Sequence, residues 1–414
     1  MRPAGCPFPA EVVLWTQNGQ NRLLAAIDAD HTECAEYWVS YPHEAPPRAH
    51  PHDPPGMSPL PITRPGYVGL HYMAEFHWGS WAAWRRAGNH TWAEAAHQFL
   101  VAMQNAGYCP SSGDSWGLNE VPSGARQGVS VCLGGATETP CHGPADCPGS
   151  TGPCQAIRES VVEVVHALHD GLPSYPGSRG AIYIANFGQH ETATSETRYH
   201  DNYRNWMEAD SFWVGISPHV RFYGQEVYTD PINTCPGRDT DTHVLRTSTL
   251  AERVTRIQDF TEGPVRLIAA APSGTAAPAR SYLGRAYMPL LNAFWGSASG
   301  YGNTEISLDQ MQMLISEQVY ATRQWAAGPA SAPDGRIGFG FGANEWDGVT
   351  SRPMAWSVIA PRLAAAVRAA YGPHGTAADA CAEGSTAMRW CACSVDDGQF
   401  QSPDPWGAAF ATWP

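Results

Sequence analysis

The stretch Ser115-Trp116-Gly117-Leu118-Asn119-Glu120-Val121 decides how this chain is to be read. A short apolar run ends in an Asn-Glu pair and is broken at once by Val121-Pro122-Ser123. The carboxyl end of a buried strand is where parallel α/β proteins gather their chemistry. Burial there raises a carboxyl pKa and makes the group a usable acid near neutral pH. Two further strand-like runs close in the same way, at Gln225-Glu226 and at Asn344-Glu345. Three such endings predict a cavity lined by carboxylates.

Outward from this stretch, strand-like and helix-like patterns alternate. Strands are expected over residues 11–17, 36–41, 67–76, 115–121, 181–187, 220–228, 265–271 and 337–343. Helices are expected over 21–31, 92–106, 157–170, 202–214, 250–260, 282–294, 308–325 and 355–371. Eight strand–helix units with no dividing linker are the count of a (β/α)8 TIM barrel. The expected organisation is a barrel over 1–374 with a Cys-rich insertion at 127–156. An appendage at 375–414, carrying three cysteines and Trp406, packs on it.

Composition narrows the chemistry. The 414 residues carry a formal charge of −14, from 25 basic and 39 acidic side chains. That balance argues against nucleic acid and anionic membranes as partners. Every basic residue is an arginine. The missing lysines exclude Schiff-base chemistry, a pyridoxal-phosphate anchor and a P-loop. No GxSxG elbow and no dinucleotide or P-loop glycine pattern follows a strand. No organic cofactor is therefore expected. No run reaches membrane-spanning length, and the start lacks an apolar signal core, so a mature secreted form is expected. Oligomeric state is not legible.

Eleven cysteines occur, four of them between Cys132 and Cys154 in a Gly/Pro-rich loop. Such a loop has no shape of its own without cross-links, so disulfides and an oxidising compartment are expected. Zinc is the rival, through Cys141-His142 and Cys391-Ala392-Cys393, although no paired C-x2-C knuckle occurs. His190, His200, His219 and His243 follow the fifth and sixth strands and read as exposed loop residues. A metal-dependent hydrolase built on them is an alternative without an HExxH pair to support it.

The candidate catalytic residues are Glu120, Glu226 and Glu345. Glu120 shares strand parity with Trp116 and Leu118, and Glu226 with Phe222 and Gly224; both sets are expected to face inward. Two carboxylates flanking one bond are the apparatus of glycoside hydrolysis, one donating a proton while the other attacks or activates water. Asn119 stands ready to bind a substrate hydroxyl. Glu75, His71, Tyr72 and Trp78 around the third strand, Asn186 after the fifth, Tyr228 after the sixth and Trp346 after the eighth complete the expected substrate-binding set. Flat aromatic faces with a polar edge suit sugar rings. A barrel that binds carbohydrate without cleaving it is the other alternative.

The Asn119-Glu120 pair closing the fourth strand resembles the acid/base signature of clan A (β/α)8 glycoside hydrolases. The resemblance implies that Asn119 contacts the sugar 2-hydroxyl and that Glu120 is the acid/base. In that clan the nucleophile closes strand seven and a Trp commonly closes strand eight, as Trp346 does here. The stretch 265–271 ends in Ala271-Pro272 without a carboxylate, so Glu226 is left as the expected nucleophile and Glu345 as its reserve. The function expected is a secreted, retaining glycoside hydrolase acting on a poly- or oligosaccharide.

Overall fold

Val, Leu, Tyr and Trp crowd the strands of one eight-stranded parallel sheet. Near-continuous apolar runs of this kind belong to strands covered on both faces. The computed structural model describes residues 6, 10–15, 20–41, 53–60, 66–67, 69–121, 130–132, 140–141, 144–147, 154–172, 180–184, 215–216, 219–225, 290–292, 315–316, 319–320, 322–323, 337–342 and 355–376. The first strands are β1 (Ala10–Trp15), β2 (Ala35–Tyr41), β3 (Leu70–His77) and β4 (Ser115–Val121). A small sheet holds β5 (Ser130–Cys132), β6 (Pro140–Cys141) and β7 (Cys154–Ala156). The large sheet continues with β8 (Gly180–Ile184), β9 (Val220–Gln225), β10 (Leu290–Asn292) and β11 (Ile337–Gly342).

Its order is β10-β11-β1-β2-β3-β4-β8-β9, every described pairing parallel. Each strand lies beside its predecessor in the chain, the singly wound progression of a barrel; a doubly wound sheet reverses direction at a switch point.

One expected element is corrected here. Residues 290–292, placed in a helix by their apolar spacing, form β10 and pair with β11. Pro289 explains the change: it lacks the N–H a helix interior needs and disfavours helical geometry at Met288 before it. The stretch 265–271, read as the seventh strand, lies outside the described residues.

The helices are α1 (Gln20–Ala29), α2 (Trp78–Gly88), α3 (Trp92–Ala106), α4 (Ile157–Asp170) and α5 (Ala355–Tyr371). Helix α1 packs on α5, and α3 on α4. Helix α3 begins with a capping box: Thr91 Oγ1 accepts from the Glu94 N–H while Glu94 accepts from the Thr91 N–H. It buries Ala95, Ala96, Phe99, Leu100 and Met103 on one face, the spacing of a helix against a sheet. The carboxyl end of α5 is held by Arg323, whose guanidinium donates to the carbonyls of Ala370 and Gly375, each at 3.0 Å.

The lower end of the sheet between β2 and β4 is closed by a polar seam. Asp114, wholly buried, accepts the N–H groups of Tyr72 and Cys109. His71 donates from Nδ1 to the Ser112 carbonyl at 2.9 Å, and the Trp38 indole donates to that of Gly113. Gly113 has φ +95°, and a Cβ there would lie 2.4 Å from the His71 ring, so only glycine fits.

The Cys-rich insertion leaves β4 and returns into α4. Its three short antiparallel strands are stapled by Cys132–Cys147 and Cys141–Cys154. These thiols are spent in disulfides, which removes them from the zinc alternative. A third bond, Cys6–Cys34, ties the amino-terminal segment to the start of β2. Among the described residues no helix is long and apolar enough to cross a membrane.

Candidate active site at the carboxyl ends of β3 and β4

Packing identifies the two faces of the sheet. Phe76 stacks on Trp81 of α2 at 5.3 Å between ring centroids and meets Phe99 of α3 at 5.2 Å. The face of β3 with Tyr72, Ala74 and Phe76 is therefore the helix side. His71, Met73, Glu75 and His77 occupy the other side, because strand residues alternate. Register carries that inner face to Trp38 and Ser40 on β2 and to Ser115, Gly117 and Asn119 on β4. Through β8 it reaches the positions of Phe222 and Gly224 on β9.

Glu75 and Asn119 meet on this inner face near the carboxyl ends of their strands. Asn119 Nδ2 donates to Glu75 Oε1 at 2.7 Å, with the residues 1% and 2% exposed. Gly117 stands directly across from Glu75, so no β4 side chain blocks the carboxylate from lying toward Asn119. Asn119 Oδ1, equally buried, accepts no hydrogen bond. An unmet buried acceptor costs about 1–3 kcal/mol, a penalty tolerated where a ligand or water supplies the donor. His77, in register with Asn119, turns its ring the other way: Nδ1 accepts the Ser80 N–H and caps α2.

The ladder between β4 and β8 is irregular at this point. Leu118 pairs with Ile182 and Val121 with Ile184, so Asn119 and Glu120 together stand opposite Tyr183. An extra residue of this kind is a β-bulge, a device that re-aims side chains and is uncommon between parallel strands.

The expected parity of β4 needs correction. Trp116 and Leu118 are fully buried, yet they belong to the helix side, while Asn119 carries the inner face. In a strand covered on both sides, apolar character does not distinguish the two faces. Glu120 lies in β4 at the bulge, where strict alternation no longer sets direction.

The other expected site residues divide clearly. Glu75 and Asn119 are brought together. His71 is on the inner face but four residues earlier, about 13 Å below at strand rise, in the polar seam. Tyr72 is buried on the helix side. Trp78 opens α2 and packs on Trp92, with 4.3 Å between ring centroids. These three do not reach the carboxyl mouth, so substrate contact is replaced by packing for Tyr72 and Trp78 and by closure of the lower end for His71. Glu226, Glu345, Trp346, Asn186 and Tyr228 lie outside the described residues, as do His190, His200 and His243. His219 precedes β9 and packs its ring against His166 and His169 of α4, at the opposite end of the sheet from Asn119. Sequence reading did not anticipate the Glu75–Asn119 bond; two polar residues closing adjacent predicted strands were the available signal.

No family model matches this sequence, and no curated protein sequence matches it. Among solved structures, the chain is similar to a broad-specificity endoglucanase from Clostridium acetobutylicum (TM-score 0.38, 8% identity, 86% of this chain and 97% of that one). It is similar also to a β-mannanase from the blue mussel Mytilus edulis (TM-score 0.32, 10% identity, 88% and 93%). A fungal β-1,4-galactanase follows (TM-score 0.29, 10% identity, 80% and 76%). Likenesses at these scores carry no weight for the site, and the barrel-type strand order stands on the register alone.

Proposed function

We propose that the protein is a secreted glycoside hydrolase in which Glu120 is the general acid/base. The observation that carries this reading is the buried Asn119–Glu75 hydrogen bond beside the bulge at Glu120. A polar pair withdrawn from water at the carboxyl end of a parallel sheet is costly unless it serves chemistry there. In this reading β9 pairs with β10 and closes the eight strands into a (β/α)8 barrel, since these are the two ends of the described order. Glu226, directly after β9, is the nucleophile, with Glu345 in reserve.

The reaction follows from two carboxyl groups about 5 Å apart, the retaining spacing. Glu120 gives its proton to the glycosidic oxygen as Glu226 attacks the anomeric carbon and the leaving sugar departs. Water, deprotonated by Glu120, then releases the second sugar from Glu226. Asn119 holds a substrate hydroxyl, Asn186 and Tyr228 line the cleft, and Trp346 stacks on a ring. The disulfides support export to an oxidising compartment.

Incubation with a panel of polysaccharides tests the reading, by chromatography of released oligosaccharides. Glu120→Gln is expected to lower the rate about 10²–10⁴-fold while glycan binding persists. Full activity in that variant, or no release from any polysaccharide by the parent protein, overturns the assignment.

A further inference from the structure

We propose that Glu75 is a positioning residue that fixes the polarity of the Asn119 amide, so that the site accepts a hydrogen-bond donor from an uncharged, hydroxyl-bearing ligand and rejects an anionic one. The inference deepens the proposed function and rests on it for the ligand class, though not for the role of Glu75.

A primary amide has two ends of nearly equal shape, one donating and one accepting, and its neighbours decide which way it lies. An ionised carboxylate can only accept. Glu75 Oε1 therefore takes the Nδ2 end of Asn119, and the 2.7 Å separation belongs to a hydrogen bond assisted by charge. The accepting end, Oδ1, is left turned away from Glu75 with nothing to receive. Both residues are more than nine-tenths buried, so water does not compete for either end.

Register sets the order of the two groups along the sheet. Glu75 is level with Gly117, and Asn119 is level with His77, two residues nearer the carboxyl end. The carboxylate thus supports the amide from below. A ligand entering from the mouth meets Asn119 before Glu75, and what it meets is an acceptor backed by a negative charge. A hydroxyl satisfies Oδ1. A carboxylate or sulfate presents further acceptors there and is repelled by both groups, consistent with the −14 formal charge of the chain. The arrangement selects neutral glycans over uronic-acid or sulfated ones, a choice made by a residue that need not touch the ligand.

The test uses the full chain with ¹⁵N-labelled asparagine, the Asn119 side-chain signals being assigned by their loss in Asn119→Asp. Glu75→Met removes the acceptor at similar length, and Glu75→Gln keeps an acceptor but removes the charge. The Asn119 Nδ2 protons are expected to exchange with solvent at least about tenfold faster in Glu75→Met than in the parent, and to stay protected in Glu75→Gln. Binding is read with neutral β-glucan and mannan oligosaccharides against oligogalacturonates, in a Glu120→Gln background to prevent turnover. The parent is expected to prefer the neutral set at least about tenfold, and Glu75→Gln to narrow that preference by raising oligogalacturonate affinity. Unchanged Asn119 exchange in Glu75→Met overturns the positioning role. Unchanged discrimination in Glu75→Gln overturns the ligand selection, and that variant keeps the test open if Glu75→Met does not fold. Absence of glycan binding to the parent, with the amide results as expected, defeats the glycosidase reading and the ligand class but leaves the role of Glu75 supported.

Discussion

Trp78 and Trp92, the first residues of α2 and α3, lie ring against ring with centroids 4.3 Å apart and each only 2% exposed. They weld two consecutive helices together behind β3 and have no access to the carboxyl mouth. Trp78→Ala is expected to destabilise the protein by about 3–5 kcal/mol, the cost of emptying a large aromatic site. Urea denaturation measures that loss. The KM of the remaining folded enzyme should stay within about twofold of the parent, and a selective rise in KM would return Trp78 to the substrate-binding set.

The stapled lobe between β4 and α4 depends on covalent cross-links. Cys132, Cys141 and Cys147 form its small core together with Cys154. Replacing Cys141 and Cys154 jointly with serine is expected to cost the lobe about 2–5 kcal/mol. Limited proteolysis should then cut between residues 122 and 153 at protease levels the parent resists. Chelation with EDTA should leave the lobe as resistant as before; cleavage induced by EDTA alone would restore the zinc reading.

Alkaline pH should weaken the fold through Tyr67. Its hydroxyl lies 3.0 Å from the Thr32 carbonyl and 2.5 Å from that of Ala35, donating its single proton between them. Burial first, and then the charges of Glu36 and Glu33, push its pKa up to about 12. Folding therefore favours the neutral phenol. The stabilisation is complete below the ordinary value near 10, and it drains away as pH rises from 10 to 12, where the unfolded chain ionises first. With half of the ring in reach of water, about 1–2 kcal/mol is expected from this group. Urea midpoints at pH 9 and pH 11 should fall for the parent and fall less for Tyr67→Phe. Equal losses in both proteins would show that Tyr67 is not responsible.

Much of the sheet was legible in the sequence. Residues 115–121, 92–106, 157–170 and 355–371 were expected as elements with the bounds observed. Each carries clear periodicity, and α3 carries a capping box besides. Helix α2 was missed because it starts without a gap after β3, capped by the His77 imidazole where Ser, Thr, Asp or Asn is the usual signal. Strand β10 was hidden by three residues too short to show a period.

The candidate site was legible in its residue types and not in its geometry. Glu75 and Asn119 stood out as polar groups closing apolar runs, but only register brings residues 44 apart into contact. The orientation of β4 was misjudged because Trp116 and Leu118 resemble inward residues in every respect except position. Nothing in the composition of a strand announces a bulge.

That bulge makes the direction in which the chain leaves β4 a question of residue count. Deleting one position at 119 or 120 would let the ladder to β8 run unbroken, and everything after it would emerge half a pleat out of phase. The disulfide-bonded lobe would then launch from the helix side of the sheet. A single codon thus decides whether this lobe is carried toward the mouth or away from it.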